Sequence, residues 1–163
     1  MAEENQQQPE QAVPSFQLVR VYLKDASLEM PNAPEIFMAQ PSEDPNVNVQ
    51  FEVGHRPLPV EGAYEVIVRG TITVTLQEKT MFLVEGKQAG IFEIKNIPEE
   101  GVKHIANVTC PTILYPYLRA NLADLINRTG LPTIHMPEVN FEAMYQQRMA
   151  QQAQAAQEEV AHA

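Results

Sequence analysis

A chain of 163 residues with 44% hydrophobic residues is long enough for one domain with a real core, and its 20% charged fraction excludes wholesale disorder. Eleven Lys and Arg against 21 Asp and Glu leave a formal charge of −10, which argues against nucleic acid or an anionic membrane as partner and favours basic ones. The single cysteine, Cys110, can form neither an intramolecular disulfide nor a zinc site by itself, so a reducing compartment is expected.

The opening MAEENQQQPEQ has no basic region followed by an apolar one. No stretch approaches the roughly 18 apolar residues of a membrane helix, so neither membrane insertion nor secretion by a cleaved signal is expected, and the protein is expected to be soluble. After Met1, residues 1–14 hold only Glu, Gln, Asn, Ala, Val and Pro, too little apolar area to offset ordering entropy, and are predicted to form a disordered N-terminal arm. The run FQLVRVYL from Phe16 to Leu23 is rich in β-branched and aromatic residues and predicts a strand continuing to Glu29. Pro31, Pro34, Pro41 and Pro45 fix φ and lack donors, so residues 30–46 read as an extended crossover.

Val47, Val49, Phe51 and Val53 alternate with Asn48, Gln50 and Glu52, which predicts a second strand with one buried face. After a break at residues 56–62, Tyr64, Val66, Val68, Ile72, Val74 and Leu76 predict a third, with a candidate bulge at Gly70. The polar turn of Gln77, Glu78 and Lys79 leads into TMFLVEGKQAGIFEI, expected as a fourth strand interrupted near Gly86 and Gly90 and hairpinned to the third. At Leu114 the period changes. Leu114, Leu118, Leu122, Leu125 and Ile126 predict a helix of about four turns with Pro116 near its first turn and a stop at Gly130 and Pro132. Asn140 reads as the N-cap of a second helix with Phe141, Met144, Tyr145 and Met149 on one stripe, beyond which the Gln/Ala-rich residues 148–163 are expected to fray. Strands first and helices last is the α+β order, with residues 15–147 as the folded domain.

Catalytic equipment is sparse. Ser15, Ser27 and Ser42, the dispersed His55, His104, His135 and His162, and Cys110 form no nucleophilic motif and no metal-ligand spacing, the histidines falling in or near connections or in the tail. GKQAG lacks the following helix of a phosphate loop, so no nucleotide, cofactor or metal is expected. Asp25, Ser27 and Glu29 share a strand face, and at roughly 3.3 Å per residue their two carboxylates stand about 13 Å apart, wider than the roughly 5–9.5 Å of paired catalytic carboxylates. They suit the docking of a basic partner, or simply a solvated sheet face. Leu83 and Glu85 likewise share a face of the fourth strand. Cys110, in VTCPT with no basic neighbour, reads as a buried inert thiol. The stripe of Phe141, Met144, Tyr145 and Met149 suits core packing or an adaptable groove for varied peptides.

The stretch RVYLKDASLEMPNAPEIF, with Arg20, Tyr22, Lys24, Asp25, Ser27, Glu29, Pro31, Asn32, Ala33, Pro34 and Phe37, closely resembles the opening of the SecB family of bacterial export chaperones. YEVIVRGTITVTL, AGIFEI, CPTILYPYLRANLADLINRTGLP and PEVNFEAMY agree in the same order, so the resemblance spans residues 16–147. It implies a four-stranded antiparallel sheet with two C-terminal helices packed on one face, assembled as a homotetramer that is a dimer of dimers. It implies an ATP-independent, non-enzymatic chaperone that holds unfolded precursor polypeptides in the cytoplasm and delivers them to the SecA motor ATPase. The resemblance assigns Asp25, Glu29, Leu83 and Glu85 to docking the motor's basic, zinc-bearing C-terminal tail. It also places substrate in a groove under the crossover and second helix, lined by Val47, Val49, Phe51, Phe141, Met144 and Tyr145. The chain departs from the family pattern at residues 41–46, in the Gln/Ala-rich tail, and at Val84, where the family commonly has cysteine. Two other readings stand beside this one. The first is a small α+β ligand-binding protein or enzyme with an enclosed pocket, which the sparse Ser, His and Asp content argues against. The second is a structural oligomer whose acidic face only maintains solubility.

Overall fold

A computed structural model describes residues 12–40 and 42–161; residues 1–11 of the expected arm, Pro41 and His162 lie outside them. Four strands, β1 (Ser15–Glu29), β2 (Asn46–Pro57), β3 (Ala63–Leu76) and β4 (Lys79–Lys95), form one antiparallel sheet in the order β1-β4-β3-β2. Alternation sorts the central strands into two faces: Val66, Val68, Ile72 and Val74 on β3 and Phe82, Val84, Phe92 and Ile94 on β4 are buried, while the residues between them point the other way. The β3–β4 hairpin closes at Gln77 and Glu78, both at positive φ (49° and 64°), as a two-residue turn matched to strand twist requires. Strand β1 shifts register twice against β4, between Leu18 and Arg20 and between Leu23 and Asp25. Leu18, Val21, Leu23, Ala26 and Leu28 thereby all fall on the covered face.

The breaks expected at the glycines are not there. Strand β4 runs unbroken for 17 residues, and Gly70 pairs in register with Gly86. These glycines instead let a helix lie down on the sheet. A Cβ on Gly70 would stand 2.9 Å from Met136 and 3.0 Å from Leu118, and one on Gly86 would stand 2.9 Å from Leu122, all closer than side chains normally approach.

The helical run starts earlier than Leu114. Helix α1 (Glu99–His104) passes through a π turn at Ile105–Thr109 straight into α2 (Cys110–Asn127), so Pro116 lies in the helix interior and Pro111 takes the first-turn place. The wide π turn breaks the 3.6-residue period, which is why the sequence pattern surfaces only at Leu114. Near Pro111, which has no N–H to donate, the Thr112 hydroxyl donates to the Val108 carbonyl at 2.6 Å. Helix α2 presses Leu114, Leu118, Leu122 and Ile126, all fully buried, onto β3 and β4, and stops as expected where Gly130 takes φ 76°.

Helix α3 (Phe141–Ala161) is capped by Asn140, whose Oδ1 accepts from the Ala143 N–H at 3.0 Å. It stays helical through the segment assigned to a fraying tail, whose Ala, Gln and Glu are good helix formers, although every side chain from Met149 to Val160 is exposed. Its first turns rest on the π turn and, through Phe141, on Tyr115 of α2. The result is an α+β fold with both long helices on one face of the sheet and the other face open.

Candidate functional site

The open face gathers the residues singled out for docking. Register places Asp25 opposite Lys87, Ser27 opposite Glu85 and Glu29 opposite Leu83, so Asp25, Glu29, Leu83 and Glu85 form one patch across β1 and β4. Asp25 and Glu29 are exposed and Leu83 is half-buried. Glu85 differs from the other acids: its side chain is only 20% exposed, and its carboxylate accepts from Arg69 Nη2 at 2.6 Å and from the Thr71 hydroxyl at 3.2 Å. The Arg69 hydrogen bond, helped by its charge and opposed by burial, holds the Glu85 carboxyl below the usual range.

Beside this patch lies a cluster that the sequence reading did not single out. Glu65 of β3 is 2% exposed, although it points to the open face. It is covered from both sheet edges: the Tyr22 hydroxyl donates at 2.5 Å and Lys24 Nζ at 2.6 Å from β1, and Arg56 Nε at 2.7 Å from β2. Burial pushes its carboxyl up, but the hydrogen bonds from Lys24, Tyr22 and Arg56 outweigh burial and hold it down at about 2. Burial, then the bond to Glu65, pushes the Tyr22 phenol up to about 12. Because the folded carboxyl titrates below its ordinary 4.5, the stabilisation it brings is complete above pH 4.5 and is lost as pH falls toward 2. Glu65→Gln is expected to destabilise the fold by about 1–3 kcal/mol at neutral pH and to flatten the acid limb of stability, as read by urea unfolding between pH 2 and 7.

On the covered face, two of the residues assigned to a groove, Phe51 and Phe141, meet around one aromatic that the sequence reading missed, Tyr115 of α2. Phe51 of β2 packs edge-on to it at 5.7 Å and Phe141 of α3 at 5.6 Å, and its hydroxyl donates to the Pro137 carbonyl. Tyr115 falls in the same apolar stripe as Leu118 and Leu122, and its polar tip is the one sign in the sequence that it needs a partner. Phe141 is only 3% exposed, a wall of the seam, whereas Met144 and Tyr145 are half-exposed beside it. Val53, Phe141, Met144 and Tyr145 line with Asn107 and Arg148 a partly open pocket of about 10 Å³, room for one water. Val49 lies half-buried on β2, and Val47 is exposed at the far end of that strand.

The remaining singled-out groups are dispersed. His104 ends α1 and His55 lies within β2, neither of them in a connection. His104 Nε2 lies 2.6 Å from Glu142 Oε2, and its ring meets Tyr145 edge-on at 5.7 Å, so it ties α3 to α1. Among the described residues no group of three His, Cys, Asp or Glu is placed to hold a metal ion. Cys110 is fully buried, and burial pushes its thiol up to about 12. No helix among the described residues is long and apolar enough to cross a membrane.

An open, charge-patterned sheet face on one side and an aromatic seam beneath a helix on the other are the equipment of a protein that binds other polypeptides by its surfaces. The family described as "Preprotein translocase subunit SecB" matches residues 7–152. The protein-export protein SecB of Ralstonia pickettii is 52% identical over 160 residues, covering 95% of this chain and 91% of its own. That of Bordetella petrii is 53% identical over 156 residues, covering 94% and 87%. A SecB-like chaperone of Mycobacterium tuberculosis, solved in complex with an antitoxin peptide, shares the fold with a TM-score of 0.64 at 21% identity, over 77% of this chain and 91% of its own. The chain belongs to the SecB family of protein-export chaperones.

Proposed function

We propose that the chain acts in the cytoplasm as a homotetramer, a dimer of dimers, that holds precursor polypeptides unfolded without nucleotide or catalysis and hands them to the SecA motor ATPase. Unfolded chain lies along the seam of Phe51, Phe141, Met144 and Tyr145, continued by Val49 and Val47, beneath the crossover and α3. The motor's basic, zinc-bearing C-terminal tail docks at Asp25, Glu29, Leu83 and Glu85.

The observation that carries this reading is the cross-strand register, which brings two exposed carboxylates and a Leu into one patch on a chain of formal charge −10, complementary to a basic tail. Association of copies is supported by edge strand β1, whose Phe16, Val19 and Leu23 are 38%, 57% and 45% exposed in a single protomer and give further strands something to cover. The test is dilution of a urea-unfolded precursor into buffer with the chain and no nucleotide. Aggregation should stop near one tetramer per precursor; aggregation at the rate seen without the chain would overturn the reading.

A further inference from the structure

We propose that Arg69, held in turn by Glu52, and Thr71 are positioning residues for docking on the open face: they brace Glu85 so that one oxygen of its carboxylate is presented to a basic group of the partner. The proposal rests on the reading of this face as the dock for a basic tail. It extends the working surface from β1 and β4 across β3 to the edge strand β2.

Both hydrogen bonds to Glu85, from Arg69 Nη2 at 2.6 Å and from Thr71 Oγ1 at 3.2 Å, fall on the same oxygen, Oε2. Among the described residues no hydrogen bond reaches Oε1. On its other side Arg69 donates from Nη1 to Glu52 Oε2 at 3.1 Å. Its Nε is buried with no acceptor among the described residues, so the guanidinium is held by its two carboxylates alone. Register supplies the reason for this lean. Arg69 stands directly opposite Glu52 on β2 and directly opposite Lys87 on β4, and the like charge of Lys87 turns the guanidinium toward Glu85, two residues further along β4.

Two consequences for a basic partner have opposite signs. Arg69 neutralises part of the charge on Glu85, which weakens attraction; it also fixes a flexible side chain before the partner arrives, which strengthens binding. On a face open to water the first is screened and small, whereas ordering a glutamate side chain is among the larger entropic costs of a contact. Bracing therefore dominates.

The experiment titrates the full chain with the zinc-loaded C-terminal tail peptide of the SecA motor at several salt concentrations, with unfolding curves and native mass taken for each variant. Arg69→Gln is expected to weaken binding about five- to tenfold although it makes the face more negative, with no flattening of the salt dependence. Arg69→Lys should recover only part of the loss, because an ammonium cannot fork between two carboxylates. Thr71→Val, which changes no charge, should weaken binding about two- to threefold. Unchanged or tighter binding by folded Arg69→Gln would overturn the proposal, leaving Arg69 a mere competitor for Glu85. If Arg69→Gln fails to fold, Thr71→Val decides, and unchanged affinity there overturns it equally. Absence of wild-type binding, or binding indifferent to Leu83→Arg, removes the docking reading itself and the proposal with it, a failure distinct from one seen only at Arg69 and Thr71.

Discussion

Phe51→Glu combined with Tyr145→Glu is expected to weaken the binding of several unrelated unfolded chains together, by about 10- to 100-fold. Both side chains are half-buried in the free protein, so only part of the roughly 1.5–3 kcal/mol for burying each is left to be gained from substrate, and the two partial losses sum to that factor. Titration of three unfolded polypeptides of unlike sequence reads it. Weakened binding of one chain with the others intact would mean that no common seam exists. Because Phe51 also packs on Tyr115, unfolding curves are needed alongside, and the seam should loosen without loss of the sheet.

Leu83→Arg is expected to weaken motor-tail binding by about tenfold or more even at high salt, since it replaces apolar burial with a charge of the partner's own sign. Asp25→Asn with Glu29→Gln should behave differently: association slows and its salt dependence flattens, because exposed rim charges act mainly on encounter. Association kinetics against ionic strength separate the two. Neither change touches the seam around Tyr115, so unfolded-chain binding should stay as it was. A tail affinity unmoved by both variants would mark the face as merely solvated.

The sheet was legible wherever one face is buried, because alternation reports burial directly: Val47 to Val53 and Tyr64 to Leu76 announce β2 and β3 from local spacing alone. Glycine is ambiguous for a physical reason. Inside a strand it signals either a break or a close approach, and only the packing of Leu118, Leu122 and Met136 over Gly70 and Gly86 shows that approach is the case here. The early start of the helical run was hidden because the π turn at Ile105–Thr109 spoils the period just where Pro111 suggests a boundary. Of the open face, the shared side of Asp25, Ser27 and Glu29 followed from period 2. What β4 and β3 set opposite them did not, since register belongs to strand pairs and not to single strands. Glu65 is the clearest case of information absent from local sequence. At an outward position an acid reads as solvated, and its burial comes from Tyr22, Lys24 and Arg56, which lie 43, 41 and 9 residues away.

Native mass measured with and without an excess of one unfolded precursor tests most directly whether these surfaces make a polypeptide-holding assembly. The expected spectrum shows a tetramer alone at micromolar concentration and, with precursor present and no nucleotide added, a tetramer carrying one unfolded chain. Monomer alone in both samples, with the precursor unbound, would contradict it.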